Sequence, residues 1–497
     1  MTHHRRPNIL FLMTDQHRVD TIGAYGNRHG TTPRLDALAA RGTVFDAAYT
    51  PTAICTPARA SLLTGRHPFE HGLLSNYEWN SGHREELPDG VQTLADALSA
   101  EGYRLGHVGK WHVGRHRGPS EHGFEGIHIP GALNNYQQPE YQEWLASKGF
   151  PQPTVREAIR TTLPDGSEGH LLAGIVDQPA EATFEAFLTD LALEKLDEFA
   201  ATADAGTPFY LACNFFGPHL PYLLPEEWYR RYSPDEVHLP RSMAESFAGK
   251  PEVQRTYSDY WGASRLDEEQ WRVLTAAYWG YVSMIDHFIG VILDRLEERG
   301  LTQDTAVFFT ADHGEFTGAH RLNDKGPAMY EDIYRIPGMV VAPGARPEQR
   351  SSEFITLLDF TSSILDLTGA TLPDVRGTSL MGLVAGDEDE LGRDCVVCEF
   401  HGHHFPYAQR MIRTAGHKLV VNPEGRDELY DLTADPDELL NVVDVPAYAA
   451  IARELRLRLY SELVARGDRF AQWMAMMQDI PVEQRIRPET AVESALG

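Results

Sequence analysis

Cysteine is scarce in this chain, with four among 497 residues, and that number excludes a disulfide framework as the organising device. Positive charge is scarce as well. Lysine and arginine total 44 against 72 aspartates and glutamates, a formal net charge of −28, which argues against nucleic acid or an anionic membrane surface as a partner. Long apolar runs are missing, and no stretch reads as long enough to span a bilayer. The opening Met1-Thr2-His3-His4-Arg5-Arg6-Pro7 and the apolar Asn8 to Met13 have the charge-then-apolar order of a secretion signal. That run is short, Asp15 ends it and no small-residue cleavage site follows, so a buried first strand and a cytoplasmic protein without a membrane partner are expected. There are no internal repeats and no low-complexity tracts.

What is present suits a soluble enzyme. Hydrophobic residues make up 42% and charged residues 23%, and the length allows one large domain and a smaller one. Strand-like apolar runs alternate with helical patterns. Strands are expected at Asn8 to Thr14, Thr43 to Phe45, Arg104 to Val108, Phe209 to Asn214, Ala306 to Thr310 and Gly338 to Ala342. Helices are expected at Pro33 to Gly42, Val91 to Glu101, Glu181 to Ala200, Glu268 to Arg299 and Leu357 to Thr368. Such alternation indicates an α/β fold with a large, mostly parallel or mixed sheet sandwiched by helices. Past about residue 385, short strands at Cys395 to Phe400, Gln409 to Thr414, His417 to Val421 and Glu428 to Leu432 crowd together before a last helix, Ala447 to Ala465. Antiparallel pairing fits there, dividing the chain into a catalytic domain, residues 1–385, and a C-terminal subdomain, residues 386–497. The tail from Pro481 is expected to be loose or to wrap a partner subunit.

The densest chemical signal is Cys55-Thr56-Pro57-Ala58-Arg59, followed by Ala60-Ser61-Leu62-Leu63-Thr64-Gly65-Arg66. Thr56 suits an N-cap, Pro57 suits the first helical position, and Gly65 suits the stop. Cys55 is thus expected just ahead of a helix N-terminus, where free N–H groups and the helix dipole favour an anion, with Arg59 adding a fixed positive charge about one turn on. Ligands of doubly wound sheets sit at the carboxyl ends of strands. Asp15 and Gln16 follow the first strand, and Asp312 and His313 follow the strand at 306–310. With Cys55 they offer oxygen, nitrogen and sulfur ligands for one divalent cation. Lys110 and His112, two apart in an extended segment, point to one side.

This pentapeptide with its flank, and the segment Gly109-Lys110-Trp111-His112, resemble the signatures of the type I sulfatases of the alkaline phosphatase superfamily. The resemblance covers nearly the whole chain; residues 120–205 and 225–265 are its least diagnostic parts. It implies an alkaline-phosphatase-like fold and oxidation of Cys55 to formylglycine by a formylglycine-generating enzyme. It also implies that Lys110 stabilises the aldehyde hydrate or the sulfate, that His112 is a base, and that His219, in Gly217-Pro218-His219, contacts the ester oxygen. Lys325, preferred to Arg321, is implied against the sulfate, with His320 nearby. The family usually shows paired aspartates first and Asp-Asn later. Gln16 and His313 depart from that pattern, as choline-sulfatase-like and phosphonate-monoester-hydrolase-like members do. Ca²⁺ stays first by analogy, and the imidazole brings in Mn²⁺ as the alternative.

The activity implied is hydrolysis of a sulfate monoester, carried by a small molecule or a saccharide, to alcohol and sulfate. The hydrated aldehyde attacks sulfur and forms a covalent sulfated enzyme; Asp312 takes its proton, and His219 or Lys325 serves the leaving alcohol. His112 then helps expel sulfate. A phosphonate monoester or phosphodiester hydrolase of the same superfamily is the nearest alternative, and a non-catalytic binder of sulfated ligands is a rival of another class. A homo-oligomer is compatible with the family. His107 and Cys213 read as structural. Cys395-Val396-Val397-Cys398 reads better as a strand than as a redox or metal pair. His401, His403 and His404 read equally as a loop over the pocket or as plain surface, with a second metal site the least supported reading.

Overall fold

The computed structural model describes residues 6–77, 82–129 and 135–485; the part of the expected loose tail from residue 486 on lies outside the described residues. In chain order the first ten strands are β1 (Asn8–Thr14), β2 (Thr43–Tyr49), β3 (Arg104–Gly109), β4 (Val155–Thr162), β5 (Glu168–Val176), β6 (Phe209–Asn214), β7 (Tyr222–Pro225), β8 (Thr305–Ala311), β9 (Gly338–Val341) and β10 (Gln349–Thr356). Every residue of β1, β6 and β8 is buried. Strands covered on both faces have no polar alternation, and this is why the three read as continuous apolar runs.

Seven strands form the central sheet in the order β10-β2-β9-β8-β1-β6-β3. β1 lies parallel to β6 and β8, β3 to β6, and β10 to β2. β9 runs antiparallel to both its neighbours, so the sheet is mixed. Along β1, Leu10 and Leu12 point into one core layer, while Ile9, Phe11 and Met13 point into the other, the period of two that a pleated strand requires. Helices α1 (Pro33–Ala39), α2 (Cys55–Thr64), α3 (Leu94–Ala100), α4 (Phe184–Asp204), α5 (Glu252–Trp261), α6 (Glu268–Glu298) and α7 (Leu357–Thr368) cover the two faces. Phe187 of α4 and Ile285 of α6 fill the first layer; Leu62 of α2, Leu98 of α3 and Phe360 of α7 fill the second.

Two sequence expectations need correction. The 31-residue α6 is long and apolar enough, by length and composition, to cross a membrane. Its apolar window is 78% buried inside the protein, so this helix spends its hydrophobic face on the core. A three-stranded sheet, β4-β5-β7, occupies the region that gave no strand signal. Its first strand is mostly polar and its register shifts repeatedly, which erases the alternation that marks a strand.

The remaining strands, β11 (Cys395–His403), β12 (Phe405–Thr414), β13 (His417–Val421) and β14 (Glu428–Asp431), form an antiparallel meander. One of its faces, with Cys395, Val397, Ile412 and Leu419, packs on Leu455 and Leu459 of α8 (Ala449–Arg466). The other, with Val396, Cys398, Phe400 and Met411, joins the first layer of the large core. Cys395 and Cys398, three apart on a strand, therefore face opposite ways, and all four cysteines are free and buried.

Candidate active site

The loops after β1 and β8 meet the start of α2. Helix α2 begins at Cys55 itself, not after it: Ile54 is the residue before the first turn, and its carbonyl accepts the Ala58 N–H at 3.0 Å. Thr56 and Pro57 are thus the second and third helical residues instead of cap and first. The cap is supplied from outside, because Asn76 Oδ1 accepts the Thr56 N–H at 3.1 Å. Proline remains harmless there, since the first-turn N–H groups have no intrahelical partner. Gly65 ends the helix in the left-handed conformation, φ 67°.

Cys55 is fully buried. Its sulfur lies 3.1 Å from His313 Nε2 and 3.8 Å from Asp15 Oδ1, and His112 hydrogen-bonds to it. Burial alone would push this thiol up; the charges of Lys110, Lys325 and His313 override that and hold it well below the usual thiol range. Arg59, one turn on, spans the two carboxylates. Its Nε donates to Asp312 Oδ2 at 2.8 Å, one terminal nitrogen to Asp15 Oδ2 at 2.9 Å and the other to the Lys110 carbonyl at 2.9 Å. Lys110 Nζ pairs with Asp15. Asp15 stays far below the ordinary carboxylate range: its burial is opposed by Lys110, His219 and Arg59. Burial and Asp15 push Asp312 up.

Asp15, Cys55, Asp312 and His313 offer ligand atoms within 4.8 Å of one another, all on buried residues. His313 Nδ1 donates to the Gly314 carbonyl at 2.8 Å, which fixes the ring with Nε2 facing the cluster. Against the cost of its own burial, Asp312 and Cys55 raise this imidazole to about 9, so Nε2 holds a proton that a bound metal ion would displace. Two carboxylates, an imidazole and one exchangeable side chain fit a divalent ion.

Gln16 sits beside this cluster in a network of its own. Its Oε1 accepts from Lys325 Nζ at 3.0 Å, and its Nε2 donates to Glu315 and, at 3.1 Å, to Asp324 Oδ1. Lys325 Nζ also donates to Asp324 Oδ1 at 3.1 Å and to His219 Nε2 at 2.8 Å. His219 can accept there because its Nδ1 donates to the Leu220 carbonyl at 2.6 Å. All the reactive residues expected from the sequence thus gather around Cys55: Arg59, Lys110 and His112 on one flank, His219 and Lys325 on the other. The route by which Lys110 and His112 arrive differs from the expectation. β3 ends at Gly109, and His112 has φ 52°, so a left-handed kink, not strand alternation, turns its ring toward Cys55.

Other expectations fall elsewhere. His320 stacks on Tyr330 with ring centroids 3.5 Å apart and bonds to Glu245 at 3.2 Å, in a separate cluster. Arg321 is exposed. His107 bonds to Asn214 at 2.9 Å, and burial lowers it to about 3, which makes it structural. His403 is buried against Asp324, not on the surface. Sequence reasoning missed Asn76, Asp324 and Tyr257. Asp324 lay in view beside Lys325, but its partners come from residues 16, 257 and 403, and no spacing reveals them.

Comparison with known proteins follows this geometry. A family model described as Sulfatase matches residues 7–370, and one described as N-sulphoglucosamine sulphohydrolase, C-terminal, matches residues 318–464. The chain is 28% identical to an arylsulfatase of Clostridium perfringens, over 96% of this chain and 98% of that protein. It is 25% identical to an N-acetylglucosamine-6-O-sulfatase of Bacteroides thetaiotaomicron, over 91% and 85%. Among solved structures, a phosphonate monoester hydrolase of Agrobacterium radiobacter superposes with a TM-score of 0.78 at 24% identity, over 93% of this chain and 96% of that one; at that identity the likeness is one of fold. With a single family model running through both the β1 and β8 loops and the Cys55 helix, the chain belongs to the sulfatase family of the alkaline phosphatase superfamily, the sulfuric ester hydrolases.

Proposed function

We propose that this protein hydrolyses a sulfate monoester with the side chain at position 55 as the source of the nucleophile. The observation that carries the reading is the two-sided surround of Cys55: a four-donor cluster with Arg59 and Lys110 on one side, and the His219–Lys325 pair on the other. In this reading Cys55 is matured to formylglycine, whose hydrated aldehyde supplies a hydroxyl for attack on sulfur. Asp15, Asp312, His313 and the position 55 side chain would hold the divalent ion, which neutralises developing oxygen charge when bound. Gln16 is left out of that set because Lys325 already engages its amide oxygen.

The chain's own groups divide the work. Arg59 orients both carboxylates toward the donor cluster. Lys110 sets a positive charge beside the reacting side chain and keeps Asp15 ionised. Burial and Lys110 lower His112 to about 4; it is therefore neutral near pH 7 and free to take a proton from a hydroxyl at position 55. His219 and Lys325 face the departing alcohol and stabilise or protonate its oxygen. The relatives named for arylsulfate and sulfated glucosamine substrates make aryl and saccharide sulfates the first classes to try.

The test uses protein co-expressed with a formylglycine-generating enzyme and supplied with Ca²⁺ or Mn²⁺. Aryl, alkyl and sugar sulfates are assayed beside an aryl phosphonate monoester, and tryptic fragments spanning position 55 are weighed. Sulfate release together with an aldehyde mass at position 55 is expected. A phosphonate ester turned over faster than every sulfate would move the reading to the phosphonate hydrolases; an intact thiol in fully active protein would end the formylglycine reading.

A further inference from the structure

The C-terminal meander reaches into the active site. β11 and β12 form a hairpin whose register shifts between Phe400 and Gly402, and such a bulge bends and re-aims a ladder. Gly402 makes the close approach possible: at φ 129°, a Cβ there would lie 2.8 Å from the Phe405 carbonyl oxygen. The hairpin end is tied to the large domain by Ser75, whose Oγ donates to the Gly402 carbonyl at 3.0 Å, and by His83, whose Nε2 bonds to the His401 carbonyl at 3.1 Å. This placement carries His403, buried to 3% exposure, onto Asp324.

Asp324 is the hub. Oδ1 accepts from Lys325 Nζ and from Gln16 Nε2, each at 3.1 Å. Oδ2 accepts from His403 Nε2 at 3.1 Å and from the Tyr257 hydroxyl at 3.0 Å, whose single proton it shares with the Lys325 carbonyl oxygen. Four donors use the acceptor sites of a carboxylate, so the group has one orientation, and Lys325 takes its own from it. The Lys325 ammonium has three protons, and its three acceptors are Asp324, Gln16 and His219. Removing one of the two donors on Oδ2 loosens the carboxylate, and with it the anchor of the Lys325 ammonium.

We propose that His403, delivered by the C-terminal hairpin, is a positioning residue for leaving-group departure: through Asp324 it holds Lys325, and with it His219, against the alcohol oxygen of the ester. Tyr257 acts on the same carboxylate oxygen from α5. This inference rests on the sulfatase reading, and it gives the small sheet a part in the reaction. The ring contacts of His404 and Phe405 with Tyr257 stay outside it.

The test measures kcat/KM for matured, metal-loaded enzyme on a series of aryl sulfates, from nitrophenyl to phenyl and on to alkyl sulfates. A good leaving group needs little help with its charge and a poor one needs much. His403→Leu is expected to lose on the order of 10- to 100-fold on phenyl and alkyl sulfates, the scale of one charge-assisted hydrogen bond, but only about threefold on nitrophenyl sulfates, mostly in kcat. His403→Gln, which keeps an N–H donor, should recover most of the loss. Tyr257→Phe, which releases both Asp324 Oδ2 and the Lys325 carbonyl, should repeat the leaving-group pattern, and His403→Asn gives a second hairpin variant if leucine folds poorly. An equal loss across all leaving groups, or a glutamine variant no better than leucine, overturns the positioning role. Wild-type enzyme that releases no sulfate from any ester overturns the sulfatase reading and this inference with it.

Discussion

Arg59 bridges both carboxylates of the site, and its replacement has a calculable effect. Its side chain is 2% exposed and grips Asp15, Asp312 and the Lys110 carbonyl. A lysine at position 59 has one point-like ammonium where arginine has a planar fork, so it keeps one of the two carboxylates and releases the other partners. The loss is two charge-assisted bonds, one to a carboxylate and one to a backbone carbonyl, about 3 kcal/mol together. Arg59→Ala leaves two buried carboxylates without their shared bridge, with Lys110, Lys325 and His313 left to offset them, and costs about 3–5 kcal/mol. At roughly 1 °C per kcal/mol for a chain of this length, Arg59→Lys lowers the melting temperature by about 3 °C. The assay is a thermal melt by circular dichroism at one fixed scan rate, since large proteins often unfold irreversibly. It is run in chelator and again with saturating Ca²⁺ or Mn²⁺. A cation at the donor cluster takes over part of the lost charge, so the deficit of Arg59→Ala shrinks when metal is present. Asp312→Asn combined with Arg59→Ala should cost less than the sum of the two singles, because one unpaired charge goes with its partner. A lysine variant melting within about 1 °C of wild type, or strictly additive singles, would refute the bridging role.

Further outcomes are expected elsewhere in the molecule. Gly109→Ala places a Cβ 1.9 Å from the Asn214 carbonyl oxygen at φ 95°, so it should part β3 from β6 and abolish turnover along with several degrees of melting temperature. Asp286, on α6, accepts the backbone N–H groups of Arg34 and Leu35 at 2.9 and 2.8 Å and so caps α1 from a distance; Asp286→Ala should cost about 1–2 kcal/mol in denaturant titrations with an unchanged m-value. Glu245, although burial would raise it, is held at about 2 by the hydrogen bond from His320 and the charge of Lys250. Its ionised form is thus favoured by folding. The stability it contributes is present above its unfolded value near 4.5 and is lost as pH falls toward 2, and Glu245→Gln should flatten the stability profile across that acid window. Dialysis against chelator should lower the melting temperature of wild type, and Asp312→Asn should blunt that response.

How far the sequence could be read depends on where each signal comes from. β1, β6 and β8 were legible to the residue or nearly so, since burial on both faces writes itself as an unbroken apolar run. Cys55, Arg59, Asp15, Asp312 and His313 were legible because they lie at strand ends or in a dense local motif. The start of α2 was misplaced by two residues, because the cap is Asn76, 20 residues away and unmarked. The direction of β9 was not legible: a four-residue strand takes its orientation from its neighbours, not from its own pattern. β4 and β5 were hidden by polar composition and bulges. The Asp324 network was invisible, because its donors are gathered from four segments by the fold alone.

The hairpin that completes the site, β11 and β12, follows every other reactive residue in the sequence. A polypeptide released before residue 395 would already contain Cys55, Arg59, Lys110, His112, His219, Asp312, His313 and Lys325, yet Asp324 would lack one of its four clasps. A chain cut short there would carry the reactive groups without the hydrogen bond by which His403 meets Asp324.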